Sequence, residues 1–301
     1  MTADDRGHLR GKLAVNEPMS RHTSWRVGGP ADRYYIPADV SDLQLFLSTL
    51  SPNESIHWLG LGSNLLVRDA GVRGTVIATT AALNGLQAIG SERVRAEAGV
   101  PTAKVARFTV ERGLSGAQFL AGIPGTIGGA LAMNAGAFGG EMWNIVERVE
   151  TVDRQGCVRQ RPRADFRTSY RRVEGLDGEW FIAAHLLLGQ GDRASGRARI
   201  KSLLAKRGQT QPTQIPNAGS VFKNPPDDHA ARLIDTTGLK GLREGNACVS
   251  EHHANFIVNE GAATAADIER LINKIRQRVA QVQGITLELE VRIIGEADKE
   301  T

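Results

Sequence analysis

The segment from Gly113 to Gly140 constrains the fold more than any other part of this 301-residue chain. Its 28 residues carry no charge and no histidine, and nine of them are glycine. The segment is long enough to span a bilayer, but Pro124, Asn134 and the glycines would interrupt a membrane helix. Glycine in such number weakens packing unless the backbone approaches something closely. We therefore expect a buried, loop-rich segment beside a ligand.

Composition indicates a globular protein with a buried core. Hydrophobic residues make up 41% of the chain, charged residues 23%, and the formal net charge is +4. The 37 basic residues are scattered among 33 acidic ones, whereas nucleic-acid binding needs them gathered on one face. Cys157 and Cys248 match no metal or disulfide spacing, and the N-terminus lacks a signal-peptide core, which favours the cytoplasm. We expect no nucleic-acid, membrane or protein partner.

Sequence patterning predicts a flexible lead-in over residues 1–20, followed by two domains. Short apolar runs separated by Gly, Pro and Asn predict a strand-rich domain with interleaved helices over 21–192. Residues 193–214 are polar and basic, with a helix predicted in the middle, and are interpreted as a connector. Residues 215–301 are interpreted as a smaller α/β domain. The boundary between the two domains is expected within this connector.

The last hundred residues contain one clear helix and one clear strand. Thr264 is predicted to cap a helix whose apolar residues recur every three or four positions, and Gly284 is predicted to end it. From Ile285 to Ile294 apolar and polar residues alternate, which predicts a strand. Glu290 would lie on the polar face of that strand.

Three glycine-bearing segments, residues 22–32, 60–67 and 120–141, are candidates for phosphate binding. Ser, Thr and Asn interleaved with Gly expose several backbone N–H groups with hydroxyls beside them, an arrangement that suits phosphate oxygens. Neither a GxGxxG that opens a helix nor a GxxxxGK[ST] motif is present. Any one segment could be only a tight turn, but a dinucleotide threaded between the second and third would explain the accumulated glycine.

The chain resembles the UDP-N-acetylenolpyruvoylglucosamine reductases of bacterial peptidoglycan synthesis in five segments, which occur in that family's order. They are GLGSNLLV (60–67), AGIPGTIGGALAMNAGAFGGE (121–141), SYR (169–171), NAGSVFKNP (217–225) and LELEVRIIG (287–295). The match runs from His22 to Gly295 and is far more specific than any single motif. It resembles the shorter of two family forms, because the interval from Arg171 to Trp180 is too short for the long inserted loop of the other.

The resemblance implies an α+β fold, with an FAD-binding domain of the vanillyl-alcohol-oxidase (PCMH) type followed by a smaller α/β substrate-binding domain. It implies FAD held without a covalent bond, with NADPH as co-substrate, and the two glycine loops contain no histidine for attachment. No metal is expected, because His252 and His253 lack further ligands at metal spacing. The loop residues assigned to FAD are Gly60, Leu61, Gly62, Ser63, Asn64, Leu65, Gly122, Ile123, Pro124, Gly125, Thr126, Gly128, Gly129, Ala130, Asn134 and Gly136.

The resemblance also implies reduction of a small sugar-nucleotide substrate, with hydride passing from NADPH through FAD to a methylene carbon. Arg171 would lie beside the flavin and the substrate carboxylate, which a guanidinium can hold by two bonds. Ser220 would be the proton donor, and Glu290 would lie at the active site. The residues expected to bind substrate are Tyr170, Lys223, Asn224 and Arg292.

Other interpretations of the same residues stay open. Without the resemblance, we would interpret the arginines near residue 171 as a solvated face, Ser220 as a turn residue and Glu290 as part of an edge strand. An oxidase or dehydrogenase on the same FAD-binding fold would lack the SYR, NAGS and LELEV segments. A non-catalytic nucleotide-binding protein would keep the glycine loops but would not need Ser220 or Glu290.

Overall fold

The computed structural model describes residues 8–297, which divide into two compact units. Unit 1 contains residues 8–15, 33–60 and 74–204, and unit 2 contains residues 16–32, 61–73 and 205–297. This differs from the predicted arrangement, because unit 2 also takes two segments from the N-terminal third of the chain. Of the predicted lead-in, residues 1–7 lie outside the described residues and Lys12–Pro18 form a strand. The predicted connector is largely a helix, Arg193–Thr210.

Within residues 8–297 the chain forms six α-helices and twenty strands, many of them short. The helices are α1 Val40–Thr49, α2 Thr102–Glu111, α3 Ile127–Ala132, α4 Arg193–Thr210, α5 Ala230–Thr236 and α6 Ala265–Gln283. The strands are β1 Lys12–Pro18, β2 Pro30–Ile36, β3 Ile56–Leu59, β4 Leu65–Val67, β5 Val72–Ala78, β6 Leu86–Ile89, β7 Arg93–Glu97, β8 Leu114–Ser115, β9 Gly136–Ala137, β10 Gly140–Glu141, β11 Val146–Val152, β12 Val158–Pro162, β13 Arg167–Ser169, β14 Arg172–Glu174, β15 Trp180–Leu187, β16 Gly189–Gln190, β17 Arg243–Glu244, β18 Ala247–Val249, β19 Ile257–Asn259 and β20 Arg292–Ile294. None of the described helices has the length and apolar composition needed to cross a bilayer.

The core of unit 1 is built on a five-stranded antiparallel sheet in the order β12-β11-β15-β7-β6. Helices α2 and α3 contribute Val105, Ile127 and Leu131 to one hydrophobic cluster with Val94 and Leu186 of the sheet. A second cluster joins α1 to strands β5, β11 and β15. A further sheet has the order β1-β2-β5-β3, in which β3 and β5 are parallel. Burial of each such aliphatic side chain contributes roughly 1.5–3 kcal/mol to stability. Because Ile127 and Leu131 belong to the glycine-rich segment, the first cluster fixes that segment against the sheet.

A partly buried ion pair crosses the five-stranded sheet. Two nitrogens of Arg95 donate to the Glu150 carboxylate at 2.7 and 2.6 Å, and His185 Nε2 lies 2.7 Å from Glu150 Oε1. The hydrogen bonds from Arg95 lower the pKa of Glu150 despite its burial. Because the lowered pKa belongs to the folded state, the stability that Glu150 contributes is present at neutral pH. It is lost as the pH falls through that pKa.

Unit 2 packs helices α5 and α6 with the antiparallel sheet β17-β18-β19 and the parallel pair β4–β20. Its core also contains Trp25 and Leu66, which come from the two N-terminal segments. The Trp25 indole nitrogen donates to the Ile257 carbonyl oxygen at 2.7 Å. The N-terminal segments are therefore integral to this core.

Helix α6 confirms the predicted helix and its ends. Thr264 Oγ1 accepts from Asp267 N at 3.0 Å while the Asp267 carboxylate accepts from Thr264 N, which is a capping box. Gly284 ends the helix in a left-handed conformation with φ of +69°. The apolar positions are buried as predicted except Val282, which is 61% exposed.

The predicted strand over Ile285–Ile294 is wrong in extent. Regular pairing covers only β20, which lies parallel to β4, and the segment before it makes one isolated bridge, from Leu289 to Phe222. The alternation of buried and exposed residues does continue through this segment. The pattern therefore gave the correct facing of the side chains, whereas the available neighbours limited the strand pairing.

Replacement of Thr264 by alanine should remove the cap of α6 and lower the free energy of unfolding by about 1 kcal/mol. Urea denaturation of the variant measures this loss. Thr264→Ser keeps the hydroxyl and is the matched control, for which we expect nearly wild-type stability. Equal losses in both variants would show that the methyl group of threonine, and not the cap, is responsible.

Candidate functional site

Ser220 and Glu290, two of the three predicted catalytic residues, lie on hydrogen-bonded segments of unit 2. The Val221 carbonyl oxygen accepts from Glu290 N at 2.8 Å and from Val291 N at 3.3 Å. Lys223 N donates to the Glu288 carbonyl oxygen at 2.9 Å. Ser220 and Glu290, 70 positions apart in the sequence, are thus placed on adjacent stretches of chain.

A turn presents Ser220 at the edge of the unit 2 core. Asn217 Oδ1 accepts from Gly219 N at 2.9 Å, and Gly219 has a φ of +74°, a conformation that glycine adopts without strain. Ser220 itself is half-buried, while Val221 and Phe222 beyond it are fully buried. The serine is therefore anchored by its neighbours but is still open on one side to a bound molecule.

Glu290 differs from the other polar residues of its segment. It is half-buried, whereas Glu288 and Arg292 on the same side are exposed. Asn64, from the second glycine segment, donates from Nδ2 to the Glu290 carbonyl oxygen at 3.0 Å, and its own carbonyl accepts from Arg292 N at 3.0 Å. The second glycine segment is in this way fixed directly to the segment that carries Glu290.

The two polar residues after Ser220 already have partners in the protein. Lys223 Nζ lies 3.2 Å from Glu288 Oε2, an exposed pair. Asn224 Oδ1 accepts from Ala230 N, at the start of α5, at 3.1 Å. A bound anion would have to compete with Glu288 for the Lys223 ammonium.

Arg171 lies in unit 1, at the tip of the β13–β14 hairpin. Its φ of +54° is left-handed, which is unfavourable for a residue with a side chain and common at functional sites. One of its terminal nitrogens donates to the Gly136 carbonyl oxygen at 3.2 Å, and its guanidinium carbon lies 5.1 Å from the centre of the Tyr170 ring. The hairpin and the third glycine segment together determine where this guanidinium lies.

The other arginines of this region are engaged in structural contacts, in line with their interpretation as a surface face. Arg159 pairs with Asp153 and Glu179, and Arg161 with Asp165 and Glu179. Further along the chain, Arg167 and Arg172 pair with Glu174, and Arg163 donates to the Trp143 carbonyl oxygen. Arg171 is distinguished from them by its backbone conformation and by its contact with the glycine segment.

Asn134 joins the third glycine segment to the Arg171 hairpin. It is 1% exposed, and its Nδ2 donates to Glu141 Oε2 at 3.0 Å and to the Ser169 carbonyl oxygen at 3.1 Å. Its Oδ1 accepts from Trp143 N at 3.2 Å. The sequence suggested Asn134 as a cofactor contact, and in the structure its side chain makes hydrogen bonds to three groups of the protein.

The Thr126 hydroxyl lies between two glycine segments of unit 1. An added Cβ on Gly60 would lie 2.5 Å from Thr126 Oγ1, so the end of β3 and the third segment meet closely. Within the described residues the Thr126 hydroxyl is buried and makes no hydrogen bond. Gly129 is exposed, and a Cβ there would meet nothing closer than that hydroxyl, at 3.9 Å. An unsatisfied donor beside exposed glycine backbone is a combination that suits a phosphate oxygen.

Other glycines in these segments are needed for packing. A Cβ on Gly122 would lie 2.3 Å from the Phe138 ring, and one on Gly128 would lie 2.9 Å from the Ala98 side chain. The N–H groups of Ile127 and Gly128 donate to the carbonyl oxygens of Val100 and Ala98. The number of glycines therefore overstated the amount of backbone available to a ligand.

The first glycine-bearing segment supports the second. Ser24 N donates to the Gly62 carbonyl oxygen at 3.1 Å, and a Cβ on Gly62 would lie 2.0 Å from the His22 carbonyl oxygen. These residues fix the shape of the loop that continues to Asn64. The sequence marked residues 22–32 only as a possible phosphate loop, and no local signal indicated this supporting contact.

The paired histidines His252 and His253 lie just before β19. No group of three or more His, Cys, Asp or Glu residues with metal-binding geometry occurs between residues 8 and 297. Burial lowers the pKa of the His253 imidazole, and its Nδ1 accepts from Asn255 N at 3.3 Å. This histidine therefore shapes the turn before β19 as a neutral acceptor.

Two protein-family models match the chain. One, described as an FAD-binding domain, matches residues 31–160. The other, described as the C-terminal domain of UDP-N-acetylenolpyruvoylglucosamine reductase, matches residues 211–294. Together they cover most of the described chain and include the candidate site residues except Tyr170 and Arg171.

Relatives and solved structures agree with these matches. The chain is 60% identical over 288 residues to the UDP-N-acetylenolpyruvoylglucosamine reductase of Methylococcus capsulatus, covering 96% of this chain and 95% of that protein. It is similar to the crystal structure of the reductase from Thermus caldophilus, with a TM-score of 0.79 and 32% identity over 95% of this chain and 99% of that one. The 6-hydroxy-D-nicotine oxidase of Arthrobacter nicotinovorans shares the fold alone, with a TM-score of 0.57 and 11% identity over 96% of this chain and 90% of that one. The predicted α+β fold with an FAD-binding domain of the vanillyl-alcohol-oxidase type is confirmed.

Gly129→Val should weaken flavin retention while leaving the fold intact, because the protein leaves space for a side chain at this position, and we expect the pyrophosphate to lie there. We expect at least a tenfold weaker retention, or about 1.4 kcal/mol. Flavin absorbance per protein after desalting measures it.

Gly208→Val is the matched control, since Gly208 is also helical and exposed, with nothing within 4 Å of an added Cβ. Full flavin content in both variants would exclude Gly129 from the cofactor site.

Proposed function

The chain belongs to the UDP-N-acetylenolpyruvoylglucosamine reductase family, and we propose that it uses NADPH to reduce the enolpyruvyl group of UDP-N-acetylglucosamine enolpyruvate to give UDP-N-acetylmuramate. As a member of this family it is an FAD-containing oxidoreductase of peptidoglycan synthesis. The observation that carries the proposal is the hydrogen-bonded pairing of the Ser220 and Glu290 segments. A protein that only bound nucleotide would not need the Ser220 and Glu290 side chains that these segments carry.

FAD, when bound, supplies transfer of a hydride from NADPH to the methylene carbon of the substrate. The neighbouring carbon then needs a proton, and we assign its delivery to the Ser220 hydroxyl. A serine hydroxyl is a weak acid, but a carbanion or enolate is basic enough to accept its proton when the two atoms are within hydrogen-bond reach. The half-buried position of Ser220 at a rigid turn supports this assignment.

Arg171 and Glu290 are proposed to act on the carboxylate end of the substrate. Negative charge that spreads into the carboxylate during reduction would be stabilised by the guanidinium of Arg171, held by Gly136. An anionic carboxylate cannot stabilise that charge directly. Glu290 is therefore proposed to share a proton with the substrate or to orient it.

The remaining assignments concern binding. We propose that FAD is held without a covalent bond and that its pyrophosphate lies against Gly60, Thr126 and Gly129, where the unsatisfied hydroxyl can donate. Lys223 and Asn224 are proposed to bind phosphate or carboxylate groups of the sugar nucleotide. Tyr170, which is 45% exposed, would cover the substrate from the Arg171 hairpin.

Spectroscopy and one assay test the function. The purified protein should be yellow, should release FAD on acid treatment, and should be bleached by NADPH under anaerobic conditions. Addition of the enolpyruvyl sugar nucleotide should restore the colour faster than air does. Faster restoration by air than by the sugar nucleotide would favour an oxidase on the same fold, and failure to bind FAD in a titration would remove the proposal altogether.

Ser220→Ala should separate the two half-reactions. Bleaching by NADPH places no proton on carbon and should be nearly unchanged, while recolouring by the sugar nucleotide should slow by about 10²–10⁴-fold, the usual worth of general acid catalysis. Stopped-flow absorbance of the flavin follows each step by itself. Equal slowing of both steps would mean that the serine positions the flavin or maintains the fold, and its role as proton donor would then be abandoned.

A further inference from the structure

Asn255 makes a pair of side-chain hydrogen bonds directly to the segment that follows Ser220. It is 3% exposed, its Oδ1 accepts from Phe222 N at 3.0 Å, and its Nδ2 donates to the Phe222 carbonyl oxygen at 2.8 Å. Its own carbonyl oxygen accepts from Val221 N at 2.9 Å. On this side of residues 221–223, a single amide side chain therefore makes the hydrogen bonds that a neighbouring strand would make.

The opposite side of residues 221–223 is bonded to the segment that carries Glu290. The Val221 carbonyl oxygen accepts from Glu290 N, and Lys223 N donates to the Glu288 carbonyl oxygen. Residues 221–223 thus lie between Asn255 on one side and the Glu290 segment on the other. A shift of residues 221–223 would move Ser220 and change its register with Glu290.

We propose that Asn255 is a positioning residue for the reductive step, which holds the Ser220 hydroxyl and the Glu290 carboxylate in register for proton delivery. This inference rests on the function proposed above. Proton transfer requires donor and acceptor within about 2.6–3.2 Å, and a misplacement of about 1 Å can cost a factor of 10² in rate. Loss of the amide would also leave the N–H and carbonyl groups of Phe222 buried without their partner, so the segment would move to satisfy them.

Asn259, four residues further along, offers a matched control. It is 4% exposed and also bonds backbone groups: its Nδ2 donates to the Trp25 carbonyl oxygen at 2.9 Å, and its Oδ1 accepts from Gly261 N at 3.0 Å and Ala263 N at 3.1 Å. These partners lie outside the Ser220 and Glu290 segments. Asn259→Ala should therefore destabilise the protein to a similar degree without displacing the serine.

The test compares flavin-loaded Asn255→Ala and Asn259→Ala in the two half-reactions, together with their thermal midpoints. We expect lower midpoints and unchanged bleaching by NADPH in both variants. Recolouring by the enolpyruvyl sugar nucleotide should slow at least tenfold in Asn255→Ala alone. Equal behaviour of the two variants in recolouring, or slowing of both steps in Asn255→Ala, would overturn the positioning role.

A double mutant gives the sharper result. If Asn255 acts through Ser220, the double variant Ser220→Ala with Asn255→Ala should recolour no more slowly than Ser220→Ala alone. Alanine at position 220 has no hydroxyl proton that Asn255 could position. If the rate loss of the double variant equals the product of the losses in the two single variants, Asn255 acts by another route. Asn255→Ser, whose hydroxyl can satisfy one of the two Phe222 groups, replaces the alanine variant if the latter does not fold.

The outcomes separate this inference from the function on which it rests. If the sugar nucleotide does not recolour the wild-type protein, the proposed function fails. If wild type and Ser220→Ala behave as expected while Asn255→Ala matches Asn259→Ala, the role of Asn255 alone fails.

Discussion

The hydrogen bonds that residues 221–223 make on both sides are the constraint on which the candidate site in unit 2 depends. Val221 and Phe222 are buried, and a buried backbone N–H or carbonyl group without a partner is costly. Asn255 satisfies one side, and the segment before β20 satisfies the other. Because these bonds must form together, the positions of Ser220 and Glu290 follow from the folding of the backbone around them.

In unit 1, the hydrogen bonds of a buried asparagine side chain likewise position Arg171. The three hydrogen bonds of the Asn134 side chain join the third glycine segment to the hairpin, and the Gly136 carbonyl oxygen then receives the guanidinium. A residue with a side chain at φ of +54° is held there only when its surroundings determine the conformation. In both units a buried asparagine acts as a short, rigid connector between loops that have few regular backbone partners.

The sequence predicted features that depend on neighbouring residues better than features that depend on distant ones. Thr264, Asp267 and Gly284 specify the ends of α6 locally, and the structure agrees. The extent of the last strand was not predictable, because it depends on where β4 lies. Glycine enrichment located the candidate cofactor loops, but it could not separate Gly128, which packs on Ala98, from Gly129, which is open. The bonds from Asn255 to Phe222 could not be predicted, because no sequence pattern shows which backbone groups an amide side chain will meet.

The composition of unit 2 has a consequence for how the protein is made. Trp25 and Leu66 emerge from the ribosome early, yet the hydrophobic cluster to which they belong also includes Leu271 and Val279 of α6. Because synthesis proceeds at about 5–20 residues per second, these early apolar side chains wait roughly ten seconds or more for their partners. During that time they are exposed or held in other contacts, whereas most of unit 1 can form from residues 33–204. Completion of unit 2, with the segments of Ser220 and Glu290, is therefore a late event in biogenesis and the stage most vulnerable to aggregation.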